Sequence, residues 1–278
     1  MSKVKITDER VVVRFSGTAS LLFAVLSGFL IFVDIPDDWK VIAGIGTLVT
    51  LIVLYLVTWL RSNNLNHIKL KIEGSTVHIK VGNIFSQPGL KAIAFNEFFD
   101  TVVDNRIIAR ESVNGLFIDQ HLERPTAELD DHIDDYHFEE DELGCVAASR
   151  QHGKQQRYKL GTICVYKDYL LTAFAKFDER DQATLTMPEY LEFLINFWDK
   201  VNKVYAQQSV STTIFGSGIT RIKGHKNISD EDLLKIMLWT FRISEMRFKH
   251  PAKLTVVIHE SKIDQINLFD IQDVTNGI

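Results

Sequence analysis

Two apolar stretches, Phe15–Val33 and Val41–Leu60, lie close together at the front of the chain, and neither holds a charged residue. Each is about 19 to 20 residues long, which at roughly 1.5 Å rise per residue approaches the ~30 Å hydrocarbon thickness of a bilayer. Helices that are apolar on all sides need a large protein around them or lipid, and the remaining chain is too small to wrap two. Whole-chain figures conceal this. Mean hydropathy is +0.01 and the charged fraction 24%, because a hydrophobic hairpin is averaged with a polar domain. The expected organisation is a short cytoplasmic N-terminus (1–14), a transmembrane helical hairpin (15–60, spans 15–33 and 41–60) and a cytoplasmic domain (61–278).

A secretory signal would be shorter and would end at small residues, whereas Asp34-Ile35-Pro36-Asp37-Asp38 follows the first stretch and a second span comes at once. Lys3, Lys5, Arg10 and Arg14 precede the first span, and Arg61, Lys69 and Lys71 follow the second. The connecting turn, Asp34–Lys40, carries three aspartates and one lysine. The positive-inside bias then places both termini in the cytoplasm, with a multi-pass anchor in the cell inner membrane. Trp39 and Trp59 stand at span ends, where indole favours the interface. Ser16, Ser20, Ala24 and Gly28 recur at every fourth position and form a ridge that permits close helix contact in lipid. Two partners fit that ridge: the second span, at Ala43, Gly44 and Gly46, or other copies of the chain.

The two cysteines, Cys145 and Cys164, have no metal-ligand spacing, and His132, His137 and Cys145 match no ligand pattern. Alternation predicts strands at His67–Glu73 and Thr76–Val81 about Gly74-Ser75, and a hairpin of Tyr158–Tyr166 with Tyr169–Phe177. Leu90–Phe95, Ser211–Phe215 and Leu254–Ile258 read as short strands. Helices are expected at Pro188–Gln207, at Leu233–Met246 after the Ser229-Asp230-Glu231-Asp232 start, and at Lys262–Asp273. The order implies an α/β domain, a mixed sheet with helices on both faces in three layers. Glu123–Glu142, with ten carboxylates and one arginine, is either a solvated surface helix or a mobile, charge-repelling flap.

Ligands of such sheets sit beyond the carboxyl ends of strands. Three segments arrive there: Val81-Gly82-Asn83-Ile84-Phe85, Phe95-Asn96-Glu97-Phe98-Phe99-Asp100-Thr101, and Ile214-Phe215-Gly216-Ser217-Gly218-Ile219-Thr220. Two glycines around a serine let successive backbone N–H groups face phosphate oxygens, although a lone Gly-Ser-Gly is often only a turn.

Together these segments resemble the binding loops of macro domains. With Asn96–Asp100 followed by Ser112-Val113-Asn114-Gly115, the chain from Lys69 onward is similar to the branch fused to two transmembrane helices in Thoeris anti-phage systems. The resemblance implies a macro-like domain whose ligand is an ADP-ribose derivative, a histidine conjugate made from NAD by a partner TIR-domain enzyme. Binding would drive homo-oligomerisation, disruption of membrane lipid and cell death, with no cofactor, no metal and no nucleic-acid partner.

Gly82, Asn83 and Ile84 match the loop beside the adenine, where these domains usually have aspartate in place of Asn83. Asn96 matches the first asparagine of the asparagine-rich loop, which here continues as Glu97-Phe98-Phe99. Gly216, Ser217, Gly218 and Ile219 match the diphosphate loop, with Phe215 and Thr220 beside them; Phe99 and Phe215 are either base-stacking residues or core. Asp100, Thr101, Ser112 and Gly115 complete the expected ligand-binding set. Other macro domains hydrolyse ADP-ribose from proteins, so a membrane-tethered ADP-ribosyl hydrolase with Glu97 or Asp100 as base is the alternative. Loss of the second asparagine and the ridge in the first span favour a non-enzymatic effector.

Overall fold

The structure is a computed structural model that describes residues 3–177, 182–218, 220–225 and 228–277. It divides into two compact units, Met1–Asn66 with Asn267–Val274, and His67–Ile266 with Thr275–Ile278.

In the first unit, α1 (Glu9–Leu30) is capped by Asp8, whose side chain accepts from the Arg10 N–H. α2 (Asp37–Asn63) opens with Asp37 and Asp38, acids suited to the positive end of a helix dipole. Both helices are long and apolar enough to cross a membrane. α1 stops at Leu30, so Ile31–Val33 of the first apolar stretch lie beyond the helix. The buried positions of α1 are Val11 and Ala19, with Arg10, Phe15, Leu22, Leu26 and Gly28 half-buried, and the least exposed positions of α2 include Ala43, Thr47, Leu51, Leu54, Tyr55 and Thr58. Phe15 meets Tyr55 edge-on at 5.2 Å. The hydroxyls of Thr47, Thr50 and Thr58 donate to carbonyls one turn back, so these hydroxyls are satisfied within the helix.

The small-residue ridge is not the face that meets α2. Ser16, Ser20 and Ala24 are exposed. Among the described residues, nothing stands within 4 Å of where a Cβ on Gly28 would be.

The expected helix at Lys262–Asp273 is broken in two. A 3₁₀ stretch (Glu260–Gln265) ends at Ile266, and the last helix of the chain, α7 (Leu268–Gly277), begins after Asn267. Asn267 makes the break, since its side-chain oxygen accepts from the Phe269 N–H and restarts the helix. Phe269 lies beneath two guanidinium groups, Arg10 at 4.8 Å and Arg14 at 4.4 Å. Arg10 also bridges Asp8 and Asp270. Phe269 is buried with Val4 and Val11, against Tyr55, Trp59 and Leu65, and the Trp59 indole donates to the Val4 carbonyl. The C-terminal segment is thus part of the hairpin's root.

In the second unit the strands are β1 (His67–Ile72), β2 (Ser75–Val81), β3 (Leu90–Asn96), β4 (Leu143–Val146), β5 (Gln156–Tyr158), β6 (Ile163–Tyr166), β7 (Tyr169–Phe177), β8 (Ala183–Thr186), β9 (Val210–Thr213), β10 (Arg221–Lys223) and β11 (Leu254–Ile258). The main sheet is ordered β1-β2-β11-β9-β3-β7-β8-β10, with β6 also on β7. β2, β11, β9, β3 and β7 are mutually parallel, β1 runs against β2 and β6 against β7, and β8 is antiparallel to β7 but parallel to β10. Alternate side chains feed two cores, as a pleated strand requires. From β7, Leu171 and Ala173 enter a core with Ile93, Phe95, Phe117, Leu129, Ile133 and Cys164, while Phe174 packs on Phe193 at 4.7 Å.

Phe193 belongs to α5 (Met187–Val204), which together with α6 (Asp230–Ile243) covers that second face. The two helices are pinned by Trp198, whose indole donates to the Thr240 hydroxyl at 3.1 Å. Both start on capping boxes, Thr186 with Glu189 and Ser229 with Asp232. Burial works to raise the Glu189 pKa, but Lys176 and the Thr186 N–H and hydroxyl outweigh it and bring it from 4.5 to about 2. Its share of stability is therefore present above the ordinary value and is lost as pH falls toward 2.

The expected Tyr158–Tyr166 strand is also two. β5 pairs with β4 in a separate two-stranded sheet, and β6 alone makes the hairpin with β7. Gly161 turns the chain between them at φ +90, and a Cβ there would stand 2.5 Å from the Asn196 Cβ and 2.8 Å from the Phe197 nitrogen of α5. Gly161→Ala is expected to cost about 2–4 kcal/mol in chemical unfolding, from overpacking and left-handed strain together.

The acidic segment is an ordered surface helix rather than a flap. α4 (Thr126–Asp135) buries Leu129 and Ile133 completely, and Lys200 holds both Glu139 and Glu142 at 2.9 Å.

Candidate functional site

Four parallel strands, β2, β11, β9 and β3, stand side by side in the main sheet, so their carboxyl ends open on one edge of the domain. Loops leave from each end: Gly82–Phe85, His259 onward, Ile214–Thr220 and Asn96–Thr101. The Gly82 N–H donates to the Ile258 carbonyl at 3.0 Å, fixing the first two loops together at their roots.

After β2, Asn83 is exposed and its side-chain oxygen accepts from the Phe85 N–H at 2.9 Å. The carboxamide thus caps a short 3₁₀ turn (Ile84–Ser86), with Ile84 buried beneath. Half-buried Phe85 stacks on His121 with ring centroids 3.8 Å apart. His121 is brought there by α3 (Val113–Leu116) continuing as a widened turn (Phe117–His121), in which the Leu122 N–H reaches back to the Phe117 carbonyl. Ser112 caps α3 by accepting from the Gly115 N–H. Gly115 is required by contact, because a Cβ would stand 2.3 Å from the Ala109 carbonyl oxygen.

After β3, the loop is organised from below. The Asn96 side chain accepts from the Phe98 N–H and donates to Asp100 at 2.8 Å. Asp100 has no exposed side-chain surface. Its two oxygens take the Arg150 guanidinium at 3.0 and 2.7 Å and the Lys154 N–H at 2.7 Å. Arg150 in turn covers the Phe98 ring at 3.9 Å. Thr101 is buried and donates to Asp130. Burial raises the Glu97 pKa, opposed by the Phe177 N–H and by Arg157, and one Glu97 oxygen accepts from that N–H at 3.2 Å.

After β9, Phe215 is core: its ring meets Phe174, Phe193 and Phe197, and its carbonyl accepts from the Tyr190 hydroxyl. Phe99 is likewise fully buried, beside Phe95, Phe138 and Tyr158. Gly216 turns the loop at φ +86. Ser217 closes it, with both its N–H and its hydroxyl directed to the Ile214 carbonyl. Gly218 is exposed and Thr220 half-buried, and Ile219 lies outside the described residues. The accessible rim of the edge is therefore Gly82, Asn83, Gly218 and Thr220, while Asn96, Phe99, Asp100, Thr101 and Phe215 form its foundation. Arg150 and Lys154 are not legible in the sequence as parts of the site; they lie about 50 residues downstream of Asp100 in an unpatterned loop.

A family model described as the macro domain of the Thoeris protein ThsA matches residues 77–259, from β2 to the residue after β11. The chain belongs to that family. The Thoeris protein ThsA of Bacillus amyloliquefaciens (strain Y2) is 36% identical over 258 residues, covering 91% of this chain and 86% of its own length. Its alignment therefore takes in more than the macro domain. Among solved structures, the Oceanobacillus iheyensis macrodomain with ADP covers 76% of this chain and 98% of its own at 15% identity and TM-score 0.42. The same macrodomain with MES bound covers 76% and 98% at 13% identity and TM-score 0.42. Family membership places the chain in Thoeris anti-phage defence, with the macro domain as its ligand-binding module.

Proposed function

We propose that this ThsA-family chain is a membrane effector. Its macro domain binds an ADP-ribose-derived signal made from NAD by a TIR-domain enzyme, a histidine conjugate of ADP-ribose, and the bound chains assemble and disrupt the inner membrane. The spans cross with both termini in the cytoplasm. Gly82, Asn83 and Ile84 receive the base, Gly216, Ser217, Gly218, Ile219 and Thr220 the diphosphate, and Ser112 and Gly115 the helix start beside it.

The observation that carries binding without turnover is the state of the two carboxylates a hydrolase would use. Asp100 spends its oxygens on Arg150, Lys154 and Asn96, and Glu97 is buried and bonded to the Phe177 N–H. Neither is left to activate water at an open rim. For the signal to switch assembly from 1:99 to 99:1 it must favour the assembled state by about 5.5 kcal/mol, which several sites in one oligomer can share.

Light scattering on the detergent-solubilised protein tests this. Added histidine–ADP-ribose conjugate should raise the particle mass; tight binding with unchanged mass would refute assembly, and release of ADP-ribose from a modified protein would establish the hydrolase instead. The ridge that α1 turns away from α2 supports contact between copies. Ala24→Leu is accordingly expected to reduce that mass increase and cell toxicity, with nucleotide affinity unchanged by calorimetry.

A further inference from the structure

One face of the β1–β2 ribbon is basic along its whole length. The inward positions Ile68, Leu70 and Ile72 are buried, and Val77 and Ile79 opposite them are fully so. The alternate positions give His67, Lys69 and Lys71 on β1, paired with Lys80, His78 and Thr76 on β2. Paired residues project to the same side of a sheet, so the five cationic or imidazole side chains share one surface. Three of them, His67, Lys69 and Lys71, are exposed. His67 and His78 touch at 3.2 Å through ring nitrogens. Burial, then the charges of Lys253, His67, Lys69 and Lys80, hold the His78 imidazole below its ordinary pKa. Glu73, the acid at the ribbon's turn, is already paired with Arg242.

Lysines on an edge strand also discourage sheet-to-sheet association. That accounts for β1 but not for His78 and Lys80, because β2 is paired on both sides, with β1 and with β11. Like charges placed opposite one another are a cost to the ribbon, so the pattern calls for an anionic partner.

The chain says which one. The apolar run of α2 ends at Leu60 and the first charge is Arg61. Only residues 64–66 separate α2 from β1, a tether of at most about 14 Å from Asn63 to His67 even when fully extended. We infer that the His67, Lys69, Lys71, His78 and Lys80 face docks on the anionic phospholipid headgroups beside the second span. The inference rests on the membrane-spanning reading of α2 and is independent of what the macro domain binds. Lipid contact of this kind would hold the domain's rim at a set attitude to the membrane, and screening by salt would release it.

The test uses the full chain in vesicles of phosphatidylcholine, alone or mixed with phosphatidylglycerol, and reads amine acetylation of individual lysines by mass spectrometry. Lys69, Lys71 and Lys80 should be labelled several-fold more slowly in the mixed vesicles, with the difference abolished by high salt. Lys159 and Lys235 should not change. Lys69→Gln with Lys80→Gln should remove the remaining protection at Lys71. Equal labelling in both vesicles, or protection conferred only by added RNA or DNA, overturns the inference. Flotation of the protein with both kinds of vesicle separates this outcome from failure of the membrane anchor, which would leave it in the pellet or the soluble fraction.

Discussion

Gly218→Val should lower affinity for the ADP-ribose conjugate at least tenfold, about 1.4 kcal/mol, and leave the thermal unfolding midpoint where it is. The two halves of that expectation come from different facts. Gly218 is exposed, its backbone lies outside the left-handed region, and among the described residues nothing is within 4 Å of a Cβ placed there. The unliganded fold has room for a branched side chain. A diphosphate lying against the loop's backbone does not leave that room, since close approach is what the missing Cβ allows. Gly216 cannot serve the same purpose. At φ +86, with Leu233 Cδ1 only 3.4 Å from the added carbon, a substitution there strains the fold itself. Calorimetry with Gly218→Val reporting native affinity would remove this loop from the site.

The elements with strong periodicity are legible in the sequence. The hairpin about Lys167-Asp168, both capped helices and the apolar strand Leu254–Ile258 stand where spacing places them. Their signal is local: alternation, a cap, a run of buried residues. What the sequence hides depends on contacts between distant residues. Tyr158–Tyr166 reads as one strand because nothing nearby reveals that Gly161 must lie against α5. Leu129 and Ile133 are two apolar residues four apart among carboxylates, too sparse to distinguish an anchored helix from an excursion. The docking of Phe269 under Arg10 and Arg14 joins residues about 255 apart, and no pattern at either end points to the other.

At the rim the same division holds. Gly82, Asn83 and the Gly216–Gly218 turn are legible because glycines and short polar residues at strand ends have backbone reasons to be there. The roles of Asn96 and Asp100 are not, because they are set by residues that arrive from elsewhere in the chain. An asparagine and an aspartate in a loop after a strand look like ligand contacts. Here they are spent inward, on the Phe98 N–H, on one another and on Arg150.

That inward network makes Arg150→Met the substitution expected to damage stability most. Asp100 is fully enclosed and Arg150 has 9% of its side chain exposed, so neither ion is hydrated enough to stand without the other. Taking away the guanidinium strands a carboxylate whose remaining partners, the Lys154 N–H and the Asn96 amide, are uncharged. Loss of one member of a buried pair costs about 3–5 kcal/mol, which for a domain of this size lowers the unfolding midpoint by roughly 10 °C. Methionine fills part of the space over Phe98, so the deficit reports the lost charge more than a cavity. The double variant Arg150→Met with Asp100→Leu separates pairing from packing. Once both charges are gone no ion is stranded, and the double variant should be more stable than Arg150→Met alone. If instead the two deficits simply add, Asp100 and Arg150 act as independent fillers and the loop carrying Asn96 is held by something other than their bond.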